Sequence, residues 1–267
     1  LPNGCANNRP YSNSQQSFNS ARTQGTAKMN ATAAQQTLLQ VKNLGKTVNT
    51  PAGELTLLQD ISFSVQAGDS VAIVGISGSG KSTLLGLLAG LDLPSSGDIV
   101  LDGLSLTALD EEQKAELRAR KVGFVFQNFQ LLPSLTALEN VMLPLELQRT
   151  DTHAHCEQRA REFLERVGLA ERLDHYPRTL SGGEQQRVAI ARAFAGHPAI
   201  LFADEPTGNL DSKTANNIVD LLFALNRDSG ATLILVTHDE KLAARCGRCL
   251  HMDEGRLSEN QLAEARS

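Results

Sequence analysis

The sequence predicts an α/β fold: a mainly parallel core sheet with an inserted helical subdomain. Three observations predict it. Short apolar runs alternate with stretches of helical period along most of the chain. Four runs, 71–74, 122–126, 199–203 and 233–236, are nearly continuous in apolar residues, as parallel strands covered on both faces must be. Between the second and third, a long stretch shows helical spacing and no strand-like run.

Taken in order, residues 1–36 are rich in Asn, Ser, Gln, Thr and Ala and lack apolar periodicity. Such a segment buries too little surface to offset the entropy of ordering, so a disordered extension is expected. Met29 is read as a natural start, with 1–28 as upstream sequence. No apolar run precedes Cys5, which argues against a lipidated cysteine behind a signal peptide. One large domain is expected over 37–255. Its strand 71–74 leads into a helix over 82–91, whose dense leucines are broken by Gly86 and Gly90 and suit a short buried helix. After strand 122–126, Ala160, Phe163, Leu164 and Val167 repeat at helical spacing within a lobe set at about 128–183. Beyond strand 199–203, Ile218, Leu221, Leu222 and Leu225 define another helix that Gly230 ends. Strand 233–236 completes the core, and 256–267 reads as a loosely attached tail.

Composition narrows the function. Lys and Arg total 25 against 30 acids, a net charge of -5, so no global basic field exists to hold nucleic acid directly. No apolar stretch reaches the ~20 residues that cross a bilayer, and the N-terminus lacks a secretory pattern, which predicts a cytosolic polypeptide. Four cysteines are too few for a disulfide scaffold. Cys246, Cys249 and His251 form C-x-x-C-x-H, but without a second ligand pair they are read as strand and helix-end residues.

The chemistry sits at the ends of the apolar runs. Gly75, Ser77, Gly78, Ser79, Gly80, Lys81, Ser82 and Thr83 belong to a G-x-x-x-x-G-K-[ST] loop that follows one strand and opens a helix. Its glycines let backbone N–H groups close around phosphate oxygens, Lys81 adds a full positive charge, and Ser82 is a hydroxyl ligand for Mg2+. Asp204 and Glu205 end the run 199–203, at the strand edge where α/β ligand sites lie. Two acids there are often only a solvated turn; after a phosphate loop, Asp204 is read as a Mg2+ ligand and Glu205 as the group that orients or deprotonates water. Ser181, Gly182, Gly183 and Glu184 combine capping-box spacing with two glycines, which bares a second helix start for an anion.

With these motifs in order over about 37–255, the chain resembles the ABC (ATP-binding cassette) ATPases, whose signature reads LSGGQ or a close variant. The resemblance implies a P-loop NTPase cassette, with N-terminal antiparallel strands beside its core sheet, that binds ATP and Mg2+ and hydrolyses ATP. It implies that Gln127 is the Q-loop glutamine near Mg2+ and the γ-phosphate, that 208–211 is the D-loop, and that His238 is the switch histidine. His153, His155, His175, His197 and His251 match nothing in that pattern. It further implies a head-to-tail pair of copies in which one copy's signature covers the other's ATP, and an integral membrane permease as partner, at the cytoplasmic face of a bacterial inner membrane. Phe126 to Pro133 and Pro206 to Asp211 look like the lipoprotein-release and macrolide-export branch, most like its cassette paired with a permease of large periplasmic domains. Export or extraction of a lipid, lipoprotein, peptide or drug-like substrate follows as an expectation. Alternatives are a mechanotransmission complex that regulates envelope enzymes, or a soluble ABC ATPase acting on nucleic acid or ribosomes, which the single cassette and the absence of a long coiled-coil insertion disfavour. The family usually places an aromatic residue before the P-loop to stack on adenine; Val48 stands at the corresponding position, so weaker ATP affinity and looser base preference are expected.

Overall fold

A computed structural model describes residues 36–51 and 53–259. In chain order the elements are β1 (Thr37–Thr50), β2 (Gly53–Gln66), β3 (Ser70–Val74), α1 (Lys81–Leu88), β4 (Ser96–Leu101), β5 (Leu104–Ser105), α2 (Glu111–Lys121), β6 (Val122–Val125) and α3 (Ala137–Gln148). They continue with α4 (His153–Arg166), α5 (Gly182–Ala195), β7 (Ile200–Asp204), α6 (Ser212–Ser229), β8 (Thr232–Thr237), α7 (Glu240–Ala243), β9 (Arg248–Asp253) and β10 (Arg256–Glu259). Three short 3-10 turns follow β5, α4 and the loop before α5.

Two sheets form. One is antiparallel, in the order β2-β1-β4-β5; the other runs β10-β9-β3-β8-β7-β6, parallel except for the β9–β10 hairpin. The continuous apolar runs are explained by what covers them. On β7 and β8, Ile200, Phe202, Ile234 and Val236 join a core with Leu84, Leu85, Leu87 and Leu88 of α1 and the inner face of the antiparallel sheet. Alternate residues Leu201, Ala203, Leu233 and Leu235 face the other way, against α5, α6 and the helices that follow β6. Both faces are therefore dry, and each large side chain so buried contributes about 1.5–3 kcal/mol before entropic costs.

Helix ends follow local chemistry. The expected helix over 82–91 is shorter: α1 ends at Leu88 because Gly90 turns left-handed (φ 65) and its N–H bonds the Leu87 carbonyl, while the Leu91 N–H bonds that of Gly86. That pair of bonds is a Schellman stop. Gly230 (φ 67) closes α6 in a similar way, its N–H on the Asn226 carbonyl. Between β6 and β7, α3 and α4 pack on α5 through Val141, Leu145, Phe163 and Leu164.

One boundary needs correction. The chain after 255 is not a loose tail at its start, because Arg256–Glu259 is β10, paired antiparallel with β9. Arg248 holds Glu259 at 2.9 Å, and Arg256 donates to Gln59 Oε1 at 2.8 Å. Polar composition concealed a strand stabilised by its ladder and its ion pair. The remainder of the expected tail, and the expected extension except for Gln36, lie outside the described residues.

Candidate functional site

The phosphate loop joins β3 to α1. Gly78 (φ 82) and Gly80 (φ 104) take left-handed conformations that cost other residues dearly, and this turn aims the first N–H groups of α1 outward. No acidic residue occupies the first turn of α1, so its positive end is uncompensated. Lys81 is buried, 6% exposed, and its ammonium donates to the carbonyls of Gly75 at 2.8 Å and Ile76 at 2.7 Å. An ammonium has three donors, so one is left for a ligand. Gly75 and Ser79 of the loop do not line its cavity, and the Ser79 hydroxyl is buried without a hydrogen-bond partner among the described residues.

Ser77, Gly78, Gly80, Lys81, Ser82 and Thr83 line a cavity of about 530 Å3 together with Gln127, Asp204 and Glu205. Strand register explains the meeting: β3 and β7 both pair with β8, so their C-terminal ends emerge on the same edge of the sheet. The Ser82 hydroxyl donates to Asp204 Oδ1 at 3.4 Å. Burial pushes the Asp204 carboxyl above its ordinary range, the Ser82 hydrogen bond opposes this, nearby Glu205 adds to it, and Lys81 opposes it. A carboxyl with a raised folded pKa contributes stability fully below its unfolded pKa and loses it as pH rises through the folded value. Asp204→Asn, which removes the ionisation, should therefore raise the melting temperature of the ligand-free protein at pH 7 by about 1 to 2 °C after allowance for solvent screening. Near pH 3 the melts of the two proteins should coincide.

Glu205 sits at φ 43, a left-handed conformation that is costly for a residue with a side chain and common at functional sites. Its backbone is fixed there by an N–H bond to the Val236 carbonyl at 2.9 Å. His238, just past β8, brings Nδ1 to 2.9 Å from Glu205 Oε2 and lines a second cavity with Glu205, Thr207 and Gly208. Gln127 lies two residues beyond β6. Its side-chain amide donates to Asn209 Oδ1 at 3.4 Å, and Asn209 returns a bond to the Gln127 carbonyl at 3.1 Å. The backbone after Gln127 is bent at Phe129 (φ 59) and Gln130 (φ 47), whose carbonyls are both held by the Arg192 guanidinium of α5.

Ser181 caps α5 as its spacing predicts. The Ser181 side chain accepts from the Glu184 N–H, and the Glu184 carboxylate accepts from the Ser181 N–H at 2.9 Å. The Ser181 hydroxyl and N–H, then Arg172 behind them, hold the Glu184 carboxyl below the usual range. Ser181, Gly182, Gly183 and Glu184 do not reach the phosphate-loop cavity. They line a separate cavity of about 390 Å3 with Asn209, Leu210 and Asp211. Val48 is half-buried on β1, opposite Leu55 on β2, and it is Leu55, 50% exposed, that lines the phosphate-loop cavity.

Several residues at the site carry no motif. Thr56, Leu57, Glu254 and Gly255 line the phosphate-loop cavity, and Gln186, fully buried, donates to the Pro206 carbonyl at 2.6 Å. Cys249 lies on β9 and Cys246 follows α7; burial raises both thiols, Cys246 to about 12.

The cavity fits a nucleoside triphosphate with a hard cation. Backbone donors and a lysine ring the loop, and every candidate metal donor, from Ser82, Asp204 and Gln127, is oxygen, which suits Mg2+. Similarity to known proteins agrees. The family described as ABC transporter matches residues 58–208. The chain is 56% identical to the uncharacterized ABC transporter ATP-binding protein YbbA of Escherichia coli K12, over 83% of this chain and 97% of that one. It is 52% identical to the lipoprotein-releasing system ATP-binding protein LolD of Bordetella pertussis, over 82% and 94%. The fold matches a dimeric post-hydrolysis state of the ATP-binding cassette MJ0796 bound to ADP and Pi, with a TM-score of 0.77 and 39% identity over 83% of this chain and 98% of that one. Phosphate loop, carboxylate pair and likeness over nearly the whole of these relatives lead to one conclusion: the chain belongs to the ABC transporter family and is an ATP-binding, ATP-hydrolysing cassette.

Proposed function

We propose that two copies of this chain bind head to tail around two ATP molecules and so energise a separate membrane permease that extracts or exports a lipid, lipoprotein, peptide or drug-like substrate. One observation carries the paired arrangement. The two helix starts suited to phosphate, at Lys81 and at Ser181, open on different cavities with no lining residue in common, which supports a signature that covers another copy's nucleotide. The dimeric cassettes among its structural relatives support the same arrangement. The likeness to the LolD proteins supports a lipoprotein-type substrate, and a location on the cytoplasmic face of the bacterial inner membrane. Among the described residues no helix is long and apolar enough to cross a membrane; in this reading the permease carries out the membrane step.

In this reading the backbone N–H groups of the loop and Lys81 hold the β- and γ-phosphates. Ser82, Asp204 and Gln127 would hold Mg2+, which supplies positive charge against the phosphate oxygens. Glu205 takes a proton from water as the water oxygen bonds to the γ-phosphorus; the bond to the bridging oxygen breaks, and ADP and phosphate leave. His238 positions Glu205 through the 2.9 Å contact and reaches toward the γ-phosphate. Gln127, tied to Asn209 and followed by the bend that Arg192 clamps, connects occupancy of the cavity to the α3–α5 lobe.

Engineered crosslinks test the pairing. In a background with Cys5, Cys156, Cys246 and Cys249 replaced by serine and Glu205→Gln added, the pair Ile76→Cys and Gly182→Cys should join two copies when ATP is present and not without it. Failure of any inter-copy crosslink with excess ATP would sink the arrangement.

A further inference from the structure

We propose that the turn between β9 and β10 reads the ribose of the bound nucleotide, the Glu254 carboxylate accepting hydrogen bonds from the 2′ and 3′ hydroxyls. The inference rests on the ATP-binding reading and adds a specificity residue to it. Asp204, Glu205 and Gln127 line the phosphate-loop cavity, and Asp204 meets the loop at the Ser82 hydroxyl; Leu55, Thr56, Leu57, Glu254 and Gly255 line it too, and Gly255 meets the loop at the Ser79 carbonyl. With phosphates on the Lys81 loop and the reactive acids beside the terminal phosphate, this second set of residues is left for sugar and base. There Leu55 offers apolar surface to a base, and Glu254 brings the charge.

The turn is built against the phosphate loop. The Gly255 N–H donates to the Ser79 carbonyl at 3.1 Å, and the Gln59 N–H donates to the Gly255 carbonyl at 2.8 Å. Gly255 has φ 75, and a Cβ there would stand 2.4 Å from the Leu57 carbonyl oxygen, so only glycine lets turn, β2 and loop approach this closely. Glu254 is thereby fixed one residue from a direct backbone bond to the cradle. Its own φ is 43, so a residue with a side chain occupies a position that glycine would fill at lower cost. Glu205, in the same cavity, shares that conformation. The positive φ of Glu254 and of Gly255 is the pair that a two-residue hairpin turn between the paired Asp253 and Arg256 requires, and this turn brings Glu254 into the cavity lining.

The chemistry of the ligand selects the use. A carboxylate near a triphosphate repels it and contributes to binding only if it finds donors. A nucleoside triphosphate offers donors in its ribose hydroxyls and, further out, in groups on the base. The short tether from Gly255 to Ser79 keeps Glu254 near the phosphates, within reach of the sugar. Among the described residues the Glu254 carboxylate makes no hydrogen bond or ion pair, so its acceptors are free for those hydroxyls.

Calorimetric titration of the full chain with ATP, 2′-deoxyATP and 3′-deoxyATP, each with Mg2+, tests this. The native protein should bind ATP about tenfold more tightly than either deoxy analogue, the scale of one hydrogen bond to a charged group. Glu254→Gly should bring the three affinities within about twofold while its melting temperature rises by about 2–4 °C, because glycine relieves the left-handed backbone. That combination separates recognition from folding. Retention of the native preference in Glu254→Gly overturns the proposal, as does a native protein that binds all three alike, or a variant that tightens all three equally through lost repulsion. If ATP itself does not bind, the nucleotide reading falls and takes this one with it; if ATP binds well and the ratio does not move, only the ribose assignment falls.

Discussion

Glu205→Gln is expected to lower ATP turnover by about 100-fold to 10,000-fold, the usual contribution of a positioned general base, while leaving ATP binding close to native. The reason is geometric. Glu205 is fixed at the C-terminal edge of the sheet by its N–H bond to Val236, and His238 orients its carboxylate from 2.9 Å. An amide of the same shape keeps the backbone and can still bond His238, but it cannot take a proton from water. Its effect should thus fall on the chemical step and spare the phosphate loop, to which the Glu205 side chain makes no hydrogen bond among the described residues. Phosphate release in steady state, set beside equilibrium ATP binding, separates the two. Turnover within a fewfold of native would remove Glu205 from the reaction.

Lys81→Ala should act in the opposite sense, weakening ATP binding by about 100-fold and abolishing turnover at ordinary ATP concentrations. A charged hydrogen bond to phosphate contributes about 1.5–3 kcal/mol, and this ammonium also ties the carbonyls of Gly75 and Ile76 into the loop's shape. Removing it leaves two carbonyls without a donor beside the site the phosphates must enter. Lys81→Arg should recover little, because the planar guanidinium is too large for a niche that leaves the native side chain 6% exposed. Titration calorimetry of both variants decides the matter; native-like affinity in Lys81→Ala would show that the backbone N–H groups alone hold the nucleotide.

The parts of this molecule that were legible in its sequence are those whose physics is local or periodic. The four apolar runs announced strands because both of their faces are covered, so no polar residue interrupts them. The phosphate loop was readable because left-handed turns at Gly78 and Gly80 demand glycine, and the Ser181 cap because its partner lies three residues on. What escaped depends on contacts between distant segments. Nothing in Asp253, Glu254 and Gly255 signals that they meet β2 and the phosphate loop, since Arg256 and Gln59 are 197 residues apart. β10 was missed because its ladder to β9, rather than an apolar face, holds it. The Asn209 tie to Gln127 was hidden for the same reason: it joins two polar loops across a sheet edge. The sequence offered Val48 where the family usually has an aromatic ring, and only the fold shows that its cross-strand neighbour Leu55 lines the cavity.

The bond from buried Gln186 to the Pro206 carbonyl has a consequence for how a pair would fire. Gln186 rides on the first turns of α5, and Pro206 is the residue after Glu205. Within one copy, the cap that would roof a neighbour's nucleotide is thus yoked to the strand end that attacks its own. In the proposed pair this bond would give each catalytic centre a direct mechanical route to the roof over the other.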